Sequence, residues 1–301
     1  MRRDLRKNKN IKYLIFLILI FIILGVPSYI WTRKNVTTLA GRYNSPMSPV
    51  IMIPGSSASA NRFDSLVKTI NNQFGEHHSL LKMTVHTDGK ITYTGKIRTS
   101  DNQPFIVVGF ENNKDGYSNI KKQAAWFNIA FNKLKQRYRF TTFNAFGHSN
   151  GGLIWTYFFE DYFDDSSISV NHMLTVGTPY NFEEKNTANR TQMLHELIKN
   201  RDKIPTDLTY YSIAGTQLYT DDGIVPLGSV DAGKYIYEGH IKRYTLITLT
   251  GSKAQHSDMI DNEQFINIFH QYIVGNGINQ APNKKVPKPW LETYQSFDTP
   301  N

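Results

Sequence analysis

Residues 146–152 read FGHSNGG, and within them Gly147-His148-Ser149-Asn150-Gly151 has the spacing G-x-S-x-G. A serine carried on a sharp turn leaves room only for glycines two positions either side, because the backbone there folds back on itself. A serine so held is a nucleophile for acyl transfer once a base takes its proton. Average composition gives the bare pattern about one chance in ten of arising at random in a chain this long, so its setting has to support it. FTTFNAF precedes the motif and LIWTYFF follows it. These apolar-rich runs predict the strand before the serine and the helix after it that such an elbow requires.

A hydroxyl needs a base, and the chain has nine histidines. One of them, His256 in TGSKAQHSDMI, lies in a loop between the last expected strand and the last expected helix. It is the expected general base. His270 falls within a helical pattern, and His148, next to the serine on the elbow, is expected to point away from it. An imidazole needs an acid to fix its tautomer and stabilise its charged form. The loop TQLYTDDGIVPLGS supplies Asp221 and Asp222. Asp222 is preferred because Ile224, Val225 and Pro226 follow it and could bury it; Asp221 stays open, and Asp164 and Asp165 fit the order less well. The oxyanion needs two donors. Asn150 N–H, just after the nucleophile, is the expected first. Ser56 N–H, in the early loop Pro54-Gly55-Ser56-Ser57, is the expected second, with Ser57 in reserve.

The elements that must position these residues follow from periodicity. Short apolar runs at 49–53, 104–110, 140–146, 172–178, 208–215 and 243–249 read as strands. Two helices show in the spacing of Phe63, Leu66, Val67, Ile70 and Phe74, and of Ile120, Ala124, Phe127, Phe131, Leu134 and Tyr138. LKMTVHT and KITYTGKI flank Asp88-Gly89, which signals a hairpin. Residues 181–205 are mostly polar and form a candidate lid, and NEQFINIFHQYIVG closes the pattern as a helix. Alternating strands and helices predict an α/β fold, a mostly parallel doubly wound sheet whose function gathers at the carboxyl ends of the strands.

GHSNGG, IPGSSAS, DGIVP and AQHSDM together resemble the α/β-hydrolases, and within them the Gram-positive cell-surface branch of unassigned substrate. The resemblance covers residues 48–275. It implies Ser149 as nucleophile, His256 as base and Asp222 as orienting acid, and the hairpin around Asp88-Gly89 also fits that branch. One departure touches the oxyanion loop: many relatives carry His-Gly where this chain has Pro54-Gly55.

Composition narrows the rest. The 301 residues are 40% hydrophobic and 13% aromatic, enough for a packed core. There is no cysteine, which excludes disulfides, thiolate metal sites and cysteine nucleophiles. The net charge is +9, and more than half of that excess comes from Arg2, Arg3, Arg6, Lys7, Lys9 and Lys12 against Asp4. The remainder is spread out, so no nucleic-acid partner is expected. Residues 13–31, YLIFLILIFIILGVPSYIW, hold no charge over 19 positions, which is close to the length of a bilayer-crossing helix. The basic flank 1–12 then stays in the cytoplasm, and a short stalk, 32–47, leads to a catalytic domain outside. A cleaved signal with secretion is the alternative. The tail, 276–301, reads as loosely ordered.

The expected function is an extracytoplasmic serine hydrolase acting on a small-molecule, lipid or cell-wall acyl substrate. An acyltransferase on the same triad, or a non-catalytic surface protein on a hydrolase fold, are the other readings. No cofactor or metal is expected, and nothing in the sequence speaks to oligomeric state. Ile53, Leu153, Tyr180 and Phe182 are the apolar residues expected near the serine.

Overall fold

A computed structural model describes residues 13, 15–32, 45–217 and 219–275 of the chain. The expected basic flank, nearly all of the stalk and the tail lie outside the described residues. An apolar helix, α1 (Ile15–Thr32), is long and apolar enough to cross a membrane, and its side chains are unburied by the protein.

The rest is built on one eight-stranded sheet. Its elements are β1 (Val50–Ile53), α2 (Asp64–Phe74), β2 (Leu80–Val85), β3 (Ile91–Gly95), β4 (Phe105–Phe110), α3 (Tyr117–Tyr138), β5 (Thr142–His148) and α4 (Asn150–Asp161). These are followed by β6 (Ser169–Val176), α5 (Gln192–Asn200), β7 (Thr209–Gly215), α6 (Leu227–Asp231), α7 (Lys234–Tyr237), β8 (Arg243–Leu249) and α8 (Glu263–Phe269). The strand order is β3-β2-β4-β1-β5-β6-β7-β8. Only β3 runs antiparallel, as the second arm of the hairpin at Asp88-Gly89.

Burial explains why the central strands are so apolar. Every residue of β1, β4 and β7 is buried, because helices cover both faces of the sheet. Alternation along β1 divides the core in two. Ile51 and Ile53 pack with α3, α4 and α5, while Val50 and Met52 pack with α2 and α8. On the first face, Phe127 and Phe131 of α3 meet Trp155 and Phe158 of α4 edge-on or tilted, with ring centroids 4.6 Å (Phe127–Trp155) and 4.8 Å (Phe131–Phe158) apart. The Trp155 indole N–H donates to Phe146 O at 2.9 Å, so the largest buried side chain carries no orphan donor.

Some boundaries differ from the sequence expectation. β5 runs on to His148, and β6 begins at Ser169 and ends at Val176. α6 and α7 were not anticipated; Gly228 and Gly233 interrupt the pattern that would have marked them. The register brings the strand ends level: Ile53 pairs with Gly147, His148 with Val176, and Val176 with Ile213. The loops that follow these strands therefore open on one side of the sheet.

Candidate active site

Ser149 sits between β5 and α4 with φ 54° and ψ −127°. This left-handed backbone is costly for a side chain with a Cβ, and it turns the chain from strand to helix within one residue. The Ser149 N–H donates to Val176 O at 2.8 Å, which ties the elbow to β6. Close approach on the other side depends on Gly55: a Cβ there would lie 2.7 Å from Ser149 Cβ.

Asp222 and His256 form the second part of the site. His256 Nδ1 lies 2.7 Å from Asp222 Oδ2, and both side chains are buried. Asp222 Oδ1 accepts the N–H groups of Ile224 at 3.0 Å and Val225 at 2.7 Å. The carboxylate therefore has only acceptors to offer, so His256 Nδ1 carries the proton and Nε2 is left as an acceptor. The main chain repeats the link, with His256 N–H donating to Asp222 O at 2.8 Å. Gly177, at φ 59°, makes room for the pair: a Cβ there would stand 2.9 Å from the His256 ring and 3.1 Å from Asp222 Oδ2. Asp221 faces elsewhere, accepting from Gly223 N–H and Thr220 Oγ1 in its own turn. Asp164 caps Ser166 at an exposed corner.

Ser149 and His256 line one cavity of about 800 Å³, whose wall also includes Gly55, Ser56, Asn150 and Ser257. The N–H groups of Ser56 and Asn150 make no hydrogen bond among the described residues. Ser57 N–H does, donating to Asn113 O at 2.8 Å, which removes the reserve donor. Of the apolar residues expected near the serine, Phe182 lines the cavity. Ile53, Leu153 and Tyr180 are fully buried in the core behind it and do not. Ala58, Tyr117, Pro179, Ile224 and Val225 add to the apolar wall. The start of the candidate lid, at Phe182 and Glu183, lines the cavity, while its α-helix, α5, packs Met193, Leu194 and Leu197 into the core.

Two supporting residues have no motif to announce them. The His148 ring is buried, and its Nε2–H donates to His256 O at 2.9 Å, bracing the histidine loop from the elbow. Burial, and then the neighbouring His256, hold its pKa down to about 3, so it stays neutral. Asp115 Oδ1 accepts from Asn150 Nδ2 and from Gly116 N–H, both at 2.6 Å, and so fixes the first residue of α4. These contacts join residues 35 and 108 positions apart. His270, by contrast, stacks on Phe74 and bonds Glu76 away from the cavity. Among the described residues no group of acids and histidines could hold a metal ion.

An elbow serine at the carboxyl edge of a parallel sheet, with an Asp-bonded histidine beside the same cavity, defines the class of α/β-hydrolases. The family described as "Alpha/beta hydrolase of unknown function (DUF915)" matches residues 38–276, and the chain belongs to it. A candidate cell surface hydrolase of Lactobacillus plantarum is 50% identical, with a TM-score of 0.70 over 75% of this chain and 91% of that one. A gene product of Listeria innocua is 28% identical, with a TM-score of 0.69 over 83% of this chain and 96% of that one. None of the curated proteins compared with the chain matches it.

Proposed function

We infer that the protein is a serine hydrolase that cleaves an ester or related acyl substrate outside the cytoplasm, with Ser149, His256 and Asp222 as its triad. The observation that carries this is the buried Asp222–His256 hydrogen bond of 2.7 Å, on an imidazole that shares a cavity with the elbow serine. His256 Nε2 takes the Ser149 proton as Oγ bonds to the substrate carbonyl carbon, and the carbonyl oxygen becomes an oxyanion. Ser56 and Asn150 N–H groups, unspent in the fold, receive that charge; a donor of this kind typically contributes about 10²–10³ in rate. The imidazolium, held by Asp222, then protonates the departing alcohol as its C–O bond breaks, leaving an acyl-serine. Water repeats the sequence: His256 takes its proton, the carboxylic acid leaves, and Ser149 regains its hydrogen.

Location outside the cytoplasm rests on α1, whose length and composition suit a membrane anchor or signal, and on the Lactobacillus plantarum relative described as a cell surface hydrolase. With the basic flank inside, a single-pass anchor holds the catalytic domain at the outer face. The test is hydrolysis of a series of 4-nitrophenyl esters from short to long acyl chains, with Ser149→Ala as control. Turnover of at least one ester and its loss in Ser149→Ala are expected. Undiminished activity in Ser149→Ala removes the assignment.

A further inference from the structure

The loop between β1 and α2 carries a cation that the catalytic steps do not use. Arg62 lines the same cavity as Ser149 and His256, and it is the sole Lys or Arg among the lining residues. Its guanidinium has five N–H donors, and one of them, on Nη2, donates to Ser257 O at 2.5 Å. No ion pair to Arg62 occurs among the described residues. Burial lowers its pKa, against a smaller upward pull from Asp261 and Asp258, neither of which forms an ion pair with it. The side chain is half-buried, with most of its donor fork unspent and its charge partly desolvated.

The backbone that carries Arg62 is tightly held. Ser57 N–H donates to Asn113 O, and Asn113 Nδ2 returns a bond to Ala58 O at 3.0 Å. Ala60 presses on β4 where Gly109 leaves space; a Cβ on Gly109 would lie 2.8 Å from Ala60 N. Arg62 N–H closes the turn on Ser59 O at 3.1 Å. The same loop supplies Ser56 N–H, so the guanidinium and the expected oxyanion donor are fixed relative to each other. A cation set in place before binding loses little freedom on meeting its ligand. The opposing charges on the cavity wall are Asp115, already engaged by Asn150 and Gly116, and the exposed Glu183.

We propose that Arg62 is the specificity determinant of this site and that it selects acyl substrates bearing a carboxylate or phosphate group. A planar guanidinium fits either oxyanion bidentately, and a half-buried setting strengthens the contact. The proposal rests on the hydrolase reading for its consequence in turnover, but anion binding itself does not.

The experiment pairs esters of equal length. 4-Nitrophenyl valerate and the mono-4-nitrophenyl ester of glutaric acid place the charge in the acyl part. Methyl 4-acetoxybenzoate and 4-acetoxybenzoate place it in the leaving group. In at least one pair the ratio of kcat/KM, anionic over neutral, should fall roughly 10- to 100-fold in Arg62→Met, as expected for loss of a charged hydrogen bond, and recover in part in Arg62→Lys. An unchanged ratio in both pairs overturns the proposal, including the case where all rates fall together because Ser257 has lost its clamp. A second arm titrates glutarate and inorganic phosphate into Ser149→Ala by calorimetry. Binding of one of them that disappears in Ser149→Ala/Arg62→Met supports the anion site even if no ester is turned over, which would count against the hydrolase reading alone. Absence of binding, or binding indifferent to Arg62→Met, overturns the proposal.

Discussion

In the proposed mechanism, the hydrogen bond between His256 Nδ1 and Asp222 Oδ2 leaves Nε2 for the nucleophile and holds the imidazolium once formed. Asp222→Asn replaces an acceptor with an amide that can present its NH₂ to the ring, which favours the wrong tautomer. A fall in kcat of about 10⁴ is expected, measured on whichever ester the enzyme turns over fastest. Asp221→Asn disturbs only its own turn and should stay within about threefold, because surface substitutions away from buried networks change little. The reverse ranking would move the acid to Asp221. At this scale the sequence is most informative where chemistry is local. Ser149 is announced by its glycines, and His256 by its place after the last strand. Asp221 and Asp222 are adjacent in sequence, so only burial and the two N–H groups on Asp222 separate them. His148 shows the limit of motif reading. It lines the cavity, and its ring braces the His256 loop through a contact 108 residues away in the chain.

At the scale of elements, α4 carries both the elbow and a cost. Glu160, near its carboxyl end, is buried, and neither of its carboxyl oxygens has a hydrogen-bond partner among the described residues. Burial, reinforced by Asp161, pushes its pKa up to about 9 from an ordinary 4.5, against a smaller pull from Lys203 and Lys121. The folded protein therefore holds a proton that the unfolded chain gives up. The group's contribution to stability is full below 4.5 and is lost as pH rises toward about 9. Glu160→Gln removes that loss. It should raise stability at pH 7.5 by up to about 4 kcal/mol, or on the order of 10 °C in Tm for a domain of this size. Thermal melts at pH 5 and pH 7.5 check the sign: the gap between Glu160→Gln and wild type widens at the higher pH. A gap that narrows would mean the carboxylate has found a partner. The buried strands and the long amphipathic α3 were legible because a parallel sheet covered on both faces leaves apolar runs with sharp turn signals. α6 and α7 were not, since helices of five and four residues hold too few turns to set up a period. The ends of β5 and β6 moved because strand length is set by pairing with neighbours, not by local composition.

At the scale of the whole molecule, an apolar helix precedes, along the chain, an α/β-hydrolase domain that packs its own core on both faces of the sheet. A variant lacking residues 1–44 should therefore be soluble without detergent and keep kcat/KM on a water-soluble ester within about twofold, because α1 contributes nothing to the cavity lining. The full chain should sediment with membranes and resist carbonate extraction, as a spanning helix would. Loss of activity on truncation would mean the anchor also completes the site. The fold class was legible at this scale from the alternation of strands and helices. The substrate was not, because cavity shape depends on residues such as Arg62, Phe182 and Ile224 that come together only in the folded chain.

The proposed function stands on Ser149 as a nucleophile activated by His256. Its most direct measurement is intact-protein and peptide mass spectrometry after brief treatment with a fluorophosphonate, which needs no knowledge of the substrate. One adduct per chain is expected, on the peptide containing Ser149, absent in Ser149→Ala and strongly slowed in His256→Ala. An unlabelled wild-type protein, or an adduct elsewhere that persists in Ser149→Ala, would contradict it.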